Sequence, residues 1–206
     1  MKLRVFSLSV IATALLAGCS PDNRPDADPL PDTMPASDAT PVAGQPRSPA
    51  DAETETSTLI VYMNRVTPDE VAAGSGTITV RQTSDGLVFT PNLMGLNAGM
   101  HGFHIHQNPS CEPELKDGKP VAAAAAGGHY DPTNAGTHTG PQGDGHKGDL
   151  PMIEVDSSGA QQAVTIKGLT LDDLKNRSLV VHKRRDDYSS NPAGDSGPRI
   201  MCGVID

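Results

Sequence analysis

Residues 127–149 read GGHYDPTNAGTHTGPQGDGHKGD. They carry His129, His138, His146 and Asp149 among seven glycines, which let a chain turn tightly around an ion. The spacing of these side chains is wider than a site on a helix needs, so a wrapped loop has to bring them together. Three imidazoles and one carboxylate suit a tetrahedral Zn²⁺ site. The alternative is a solvated loop that binds no metal.

Residues 100–107, which precede this loop, form a predicted strand with His104 and His106 two positions apart. Side chains at i and i+2 lie on the same face of a strand, so the two imidazoles would form half of a metal site. His182, at the end of another β-like run, would complete an all-imidazole site, which suits copper. Each of these could instead be structural. His101 is predicted to face the other way and to serve as a hydrogen-bonding residue.

The rest of this region consists of short apolar runs bounded by Gly, Pro, Asn or Asp, which indicate strands. Eight strands are predicted: Leu59–Val66, Gly76–Gln82, Leu87–Thr90, Met100–Gln107, Met152–Asp156, Gln161–Ile166, Ser178–Lys183 and Ile200–Ile205. One helical turn is predicted at 170–175, with Thr170 as its N-cap. This pattern favours an all-β antiparallel sandwich or barrel. Residues 108–151 and 184–199 remain as long polar loops, which are usually functional on a compact β domain.

The N-terminal residues follow a different pattern. Lys2 and Arg4 precede an apolar run that is too short to span a bilayer and that ends in LAGC at 16–19. This resembles a bacterial lipobox and predicts a signal peptide over residues 1–18 with a lipid on Cys19. The alternative is an ordinary secretory signal with a chance cysteine.

Residues 19–56 hold eight prolines and two arginines against eight acidic residues, with almost no large apolar side chains. They are predicted to be a disordered tether, followed by one folded domain over 57–206. The formal net charge of the chain is −9, which argues against a nucleic-acid partner. Once Cys19 is set aside, Cys111 and Cys202 remain. Outside the cytoplasm they are predicted to pair, the alternative being two free thiols.

Several motifs, taken together, resemble the Cu,Zn superoxide dismutase family over residues 58–206. They are GFHIH at 102–106, GGHYDP at 127–132, GHKGDL at 145–150 and CGVI at 202–205. NPSC at 108–111 and KDG at 116–118 resemble the bacterial periplasmic branch of that family. The resemblance implies an eight-stranded antiparallel Greek-key sandwich or barrel with long metal-binding and active-site loops.

The resemblance also implies one copper and one zinc ion per subunit. The implied copper ligands are His104, His106, His129 and His182. The implied zinc ligands are His129, His138, His146 and Asp149. His129 would bridge the two ions, and Asp186 would link a copper histidine to a zinc histidine. Arg199 would be the active-site arginine, and Cys111–Cys202 the disulfide of the family.

The implied function is dismutation of superoxide in the envelope of a Gram-negative bacterium. The protein would face the periplasm and be anchored by lipid at Cys19, and Ser20 favours the outer membrane. A homodimer is left open. The alternatives are a non-catalytic copper-binding or copper-delivery protein of the same fold and a sandwich binding module. Lys183, Arg184 and Arg185 could steer the anionic substrate towards an acidic protein, or could be a solvated strand end.

Overall fold

The structure, a computed structural model, describes residues 57–72 and 74–205. The predicted signal peptide, the lipidated Cys19 and the tether lie outside the described residues. The strands are β1 (Thr58–Tyr62), β2 (Asn64–Val66), β3 (Val71–Ala72), β4 (Gly76–Thr83), β5 (Gly86–Leu93), β6 (Gly99–His101), β7 (Phe103–His106), β8 (Glu114–Lys116), β9 (Lys119–Val121), β10 (Ile153–Val155), β11 (Val164–Ile166), β12 (Arg177–His182) and β13 (Arg199–Ile205). A 3-10 turn covers Ala124–Ala126, and one short helix, α1, covers Leu171–Leu174. Within this part of the chain, no helix is long and apolar enough to cross a membrane.

Two antiparallel sheets face each other, with strand orders β1-β4-β5-β11 and β3-β2-β13-β12-β7. Two smaller pairs, β10-β6 and β8-β9, complete the strands of the described residues. The chain passes out of the first sheet into the second at Met63, between β1 and β2. Because β13 pairs with both β2 and β12, strands far apart in sequence are neighbours, as in a Greek key. The predicted all-β antiparallel fold is confirmed.

The core lies between the two sheets, and it explains why apolar residues and histidines alternate along β7. Phe103 and Ile105 of β7 belong to the apolar core, and Phe103 meets Phe89 of β5 edge-on with ring centroids 5.6 Å apart. The alternate residues, His104 and His106, point away from this core but are also fully buried. Loops therefore cover the outer face of β7, and the metal-binding candidates lie under them.

The strand boundaries differ from prediction in several places. Strand β3 was not predicted, β5 extends to Leu93 beyond the predicted Thr90, and β11 begins at Val164 rather than at Gln161. The predicted strands 59–66 and 100–107 are each interrupted, at Met63 and Gly102, where the chain changes its pairing partner. The β8-β9 hairpin was predicted as loop because all its strand residues are exposed and lack alternation. Its turn, Asp117-Gly118, has positive φ at both positions, and Asp-Gly is the sequence signal for such a hairpin.

Candidate metal centre

Four buried imidazoles meet at one point beside β7, and we call them the all-histidine cluster: His104, His106, His129 and His182. β7 supplies two of them, and the paired strand β12 places a third at its end. His129 comes from the glycine-rich loop, where a β-bridge to His106 holds its backbone. Its ring centroid lies 4.0 Å from that of His104 and 5.0 Å from that of His106.

Each ring of this cluster is fixed through one nitrogen and leaves the other free. His106 Nδ1 donates to Gly127 O at 3.0 Å, and His182 Nδ1 donates to Gly197 O at 2.9 Å. The opposite nitrogens, together with His104 Nδ1 and His129 Nε2, are buried and have no hydrogen-bond partner among the described residues. Buried polar atoms are normally satisfied, and a metal ion would satisfy these four at once. The cluster therefore fits a metal that prefers imidazole ligands.

A second group adjoins the first through His129, and we call it the histidine–aspartate cluster: His129, His138, His146 and Asp149. Asp149 Oδ1 accepts a hydrogen bond from His129 Nδ1 at 2.7 Å, and Asp149 Oδ2 lies 2.9 Å from His138 Nδ1. Gly148 lets the loop close, because a Cβ there would lie 2.3 Å from Ile105 O. Three imidazoles and one carboxylate are a donor set that fits Zn²⁺.

Asp186 connects the two clusters. This carboxylate is 1% exposed and accepts from His104 Nε2 at 2.6 Å and from His138 Nε2 at 2.8 Å. One residue of each cluster is therefore oriented by the same carboxylate. Such a partner fixes the tautomer and direction of a metal-bound ring.

The electrostatics of the site favour metal binding with one exception. Burial lowers the pKa of every histidine in the all-histidine cluster, and that of His129 falls to about 3. Burial disfavours the charged form of Asp149, but hydrogen bonds from His129 and His138 outweigh it and hold the pKa of Asp149 below its usual range. Burial likewise opposes charge on His138, yet its contacts with Asp149 and Asp186 raise the pKa of His138 to about 9. A metal ion binding at His138 therefore has to displace a proton.

A small cavity opens beside His129 and ends at Arg199. Its volume is about 170 Å³, and its lining includes Gly128, Pro192 and Ala193. Arg199 donates hydrogen bonds to Ala123 O and, at 2.6 Å, to Gly127 O, so its guanidinium is held in place. An arginine next to buried imidazoles is suited to bind a small anion.

The predicted disulfide between Cys111 and Cys202 is confirmed, with their Cα atoms 5.6 Å apart. It joins the loop before the glycine-rich segment to β13. Both acceptors of Arg199 follow Cys111 in the chain, Ala123 before the metal-binding loop and Gly127 at its first residue, while Arg199 itself lies three residues before Cys202. The disulfide therefore ties together the two segments between which Arg199 forms its hydrogen bonds.

Residues 74–205 match the family model for copper/zinc superoxide dismutase (SODC). The chain belongs to the copper/zinc superoxide dismutase family. Superoxide dismutase (Cu-Zn) 2 of Salmonella typhimurium is 50% identical over 149 residues, which cover 70% of this chain and 86% of that protein. Superoxide dismutase (Cu-Zn) of Escherichia coli K12 is 48% identical over the same shares of both chains. The family's metals are copper and zinc, as predicted.

Two solved structures resemble the fold over the full length of their chains. The Cu/Zn superoxide dismutase from Brucella abortus is 44% identical, with a TM-score of 0.70, and matches 73% of this chain and 100% of its own. The solution structure of the monomeric copper, zinc superoxide dismutase from Salmonella enterica is 47% identical, with a TM-score of 0.64 and the same shares covered. Both support the Greek-key barrel assigned to this dismutase chain.

The structure brings together every residue that the sequence nominated for the two metal sites, and it places Asp186 between them. His101 is the hydrogen-bonding residue predicted, with ring nitrogens 2.9 Å from His182 O and 3.0 Å from Asn97 O. The basic residues directly after His182 are not placed where they could bind a substrate in the cavity. Arg184 forms an exposed ion pair with Asp195 at 2.6 Å, and neither Arg184 nor Arg185 lines the cavity beside His129.

Three supporting residues were missed in the sequence. Asn191 Oδ1 accepts from the backbone N–H of His138 at 2.6 Å, Tyr188 N–H donates to Asp186 at 2.7 Å, and Met152 Sδ accepts from the Asp186 N–H at 3.2 Å. Two of them, Tyr188 and Asn191, lie in the loop over residues 184–199, in which the sequence pointed to Asp186 and the arginines but not to these two. Nothing in the local sequence indicates which part of the protein these side chains reach.

Proposed function

We propose that this chain converts two superoxide ions and two protons into dioxygen and hydrogen peroxide. Membership of the dismutase family supports this activity. The observation that carries it is the all-histidine cluster, with four buried nitrogens that have no partner in the described part of the chain. The cluster lies next to a small cavity that Arg199 lines. The cavity admits a small molecule, and the guanidinium selects an anion.

The ligand assignment is part of this proposal. Copper would be held by His104, His106, His129 and His182. Zinc would be held by His129, His138, His146 and Asp149. The free nitrogens of the first set and the carboxylate of the second support this division, since imidazole suits copper and zinc accepts both donors. Asp186 would hold His104 and His138 in position for their respective ions.

Copper, when bound, supplies the one-electron oxidation and reduction, and zinc supplies a fixed positive charge. Arg199 binds the superoxide anion at the end of the cavity and orients it by charge-assisted hydrogen bonds. His129 lines the cavity, and its Nε2 is buried and has no hydrogen-bond partner among the described residues, so this is the ring atom that would hold a proton for the product. Asp149 keeps the opposite nitrogen, His129 Nδ1, in a fixed orientation.

Two substitutions test the division of ligands. His104→Ala should remove copper and abolish superoxide turnover, because it belongs only to the copper set. His138→Ala should weaken zinc binding and leave most of the copper, because it belongs only to the zinc set. Elemental analysis of both full-length variants measures this. Loss of copper before zinc from the His138 variant would contradict the assignment.

The non-catalytic alternative, a copper-binding or copper-delivery protein, is not favoured. Such a protein needs ligands for copper but has no use for a substrate cavity ending at a fixed cation. This chain has both the complete cluster and Arg199 beside the cavity. Full copper and zinc loading without superoxide turnover would revive that alternative.

The proposed location is the periplasmic side of the envelope, with the chain anchored by lipid at Cys19 and the outer membrane favoured by Ser20. The sequence LAGC after a short apolar run supports the anchor, and the relatives come from Gram-negative bacteria. A homodimer is the assembly left open by the sequence, whereas the Salmonella enterica relative is described as monomeric. Sedimentation velocity of the full chain distinguishes the two states.

A further inference from the structure

Asp186 is supported by a closed set of contacts that the mechanism above does not use. Its backbone N–H donates to Met152 Sδ at 3.2 Å, and the backbone N–H of Met152 donates to Tyr188 Oη at 3.0 Å. The backbone N–H of Tyr188 returns to Asp186 Oδ1 at 2.7 Å. Three residues from two segments of the chain thus form a closed ring of hydrogen bonds, one of which reaches the Asp186 carboxylate.

Tyr188 adopts a backbone conformation that a bulky residue rarely takes. Its φ is 58°, in the left-handed region, where tyrosine is an outlier. Such a conformation persists only where the surroundings impose it, and it is found most often at functional sites. Here it turns the N–H of Tyr188 onto the carboxylate two residues earlier, so the conformation itself supplies one of the hydrogen bonds to Asp186.

The ring of Tyr188 joins the Asp186 segment to the metal-binding loop. It packs against Gly140, where an added Cβ would lie 2.7 Å from Tyr188 Cγ. Gly140 has φ +71 and lies two residues after His138. The same ring carries the hydroxyl that accepts from Met152, directly before β10. Tyr188 therefore contacts both segments that have to stay in register for Asp186 to reach His138.

We propose that Tyr188 and Met152 are positioning residues, which hold the Asp186 carboxylate where it orients His104 and His138. The inference rests on the proposed function only in taking Asp186 as the partner of a copper histidine and a zinc histidine. Tyr188 fixes the position and direction of the carboxylate through the packing of its ring and the hydrogen bond from its N–H. Met152 fixes the backbone of Asp186 through its sulfur.

The ring N–H protons of the histidines report directly on how firmly the Asp186 carboxylate is held. His104 Nε2–H and His138 Nε2–H donate to Asp186, whereas His106 Nδ1–H donates to Gly127 O in another loop. The full chain loaded with Zn²⁺ and reduced copper, Cu⁺, is diamagnetic, so these protons can be followed by NMR and their exchange with water measured. His106 serves as the internal reference for general loosening of the protein.

In Tyr188→Ala, exchange of the two protons bound to Asp186 should be about tenfold faster or more, comparable to the effect of losing a partner of a metal ligand. Tyr188→Phe keeps the ring and Met152→Leu keeps the side-chain volume, and each removes one hydrogen bond. In each of these two variants, exchange of the two protons should be about fivefold faster than in wild type. The His106 proton should stay within about twofold of wild type in all three. Tyr62→Ala, on an exposed position of β1, is the matched control and should change none of them.

A second measurement uses metal alone. Transfer of Zn²⁺ from the loaded protein to a chromophoric chelator should be about tenfold faster in Tyr188→Ala than in Tyr62→Ala. Equal acceleration of all three ring protons, or no acceleration of the two bound to Asp186, would overturn the proposal. Superoxide turnover of the wild type is measured separately. Its absence, with the proton result intact, would refute the proposed function and leave the positioning role standing.

Discussion

Removal of the Cys111–Cys202 disulfide should damage stability and activity together. The bond joins residues 91 positions apart. In the chain-entropy model, a closed loop of that length stabilises the folded protein by about 4–5 kcal/mol relative to the open chain. Both cysteines are buried, in a small apolar cluster with Ala123 and Val180. The double change to alanine should therefore lower the free energy of unfolding by about 4 kcal/mol.

The effect on activity follows from the position of Arg199. Its two acceptors, Ala123 O and Gly127 O, lie in the segment that the disulfide ties to β13. Gly127 O also accepts from His106 Nδ1, so a loosened segment disturbs a histidine of the cluster as well. Hydrogen bonds to charged groups contribute about 1.5–3 kcal/mol each to holding such a group in place. Because kcat/KM depends on Arg199 being in place, loss of one should lower kcat/KM by at most roughly ten- to hundredfold.

The assay combines two measurements on the full chain loaded with copper and zinc. Urea denaturation gives the free energy of unfolding, and superoxide decay gives kcat/KM at a temperature where the variant stays folded. The control is the wild type with its disulfide reduced, which should resemble the double variant. A variant that loses the expected stability and yet keeps wild-type kcat/KM would show that the disulfide does not position Arg199. A loss below about 1 kcal/mol would refute the loop-closure reasoning.

Three further predictions follow from single features. The pKa of His138 is raised to about 9, so protonated His138 stabilises the metal-free protein below pH 6.5, and this stabilisation is lost as the pH rises through 9. In urea titrations, the free energy of unfolding of the metal-free protein should therefore fall between pH 6.5 and 9. It should stay level over this range in His138→Gln. The double change Arg184→Gln and Arg185→Gln should lower the rate of superoxide decay at low salt less than Arg199→Gln does, because Arg199 lines the cavity and the other two arginines do not. The reverse order in stopped-flow assays would show that the exposed pair steers superoxide. Cys19→Ser should move the protein from the membrane to the soluble fraction, and retention in the membrane would rule out the lipid anchor.

The metal-binding side chains could be predicted because their pattern is local. His104 and His106 share a strand face by simple alternation, and the glycines of 127–149 mark a loop that can wrap an ion. The partners that aim the rings could not be predicted. Gly127 O and Gly197 O are backbone carbonyls, which every residue possesses, so no residue type identifies them.

The supporting contacts of Asp186 were missed for a related reason. Met152 and Tyr188 are ordinary residues in sequence, and only the return of the loop over 184–199 onto the start of β10 brings them together. The strand interruptions at Met63 and Gly102 were also missed, because strand-like residues stand on both sides of each position while the pairing partner changes. The local sequence pattern thus predicts which residues are functional. The contacts that orient these residues come from loops that are distant in sequence, and the local pattern does not predict them.

Dismutation by this chain is measured most directly as the second-order rate constant for superoxide decay, obtained by pulse radiolysis on the full chain. One sample carries one copper and one zinc per chain, and the reference carries zinc alone. The loaded protein should reach a rate constant on the order of 10⁸–10⁹ M⁻¹ s⁻¹, near the diffusional limit, and the zinc-only protein should not exceed the buffer. Decay no faster with both metals than with zinc alone would contradict the assignment of this chain as a superoxide dismutase.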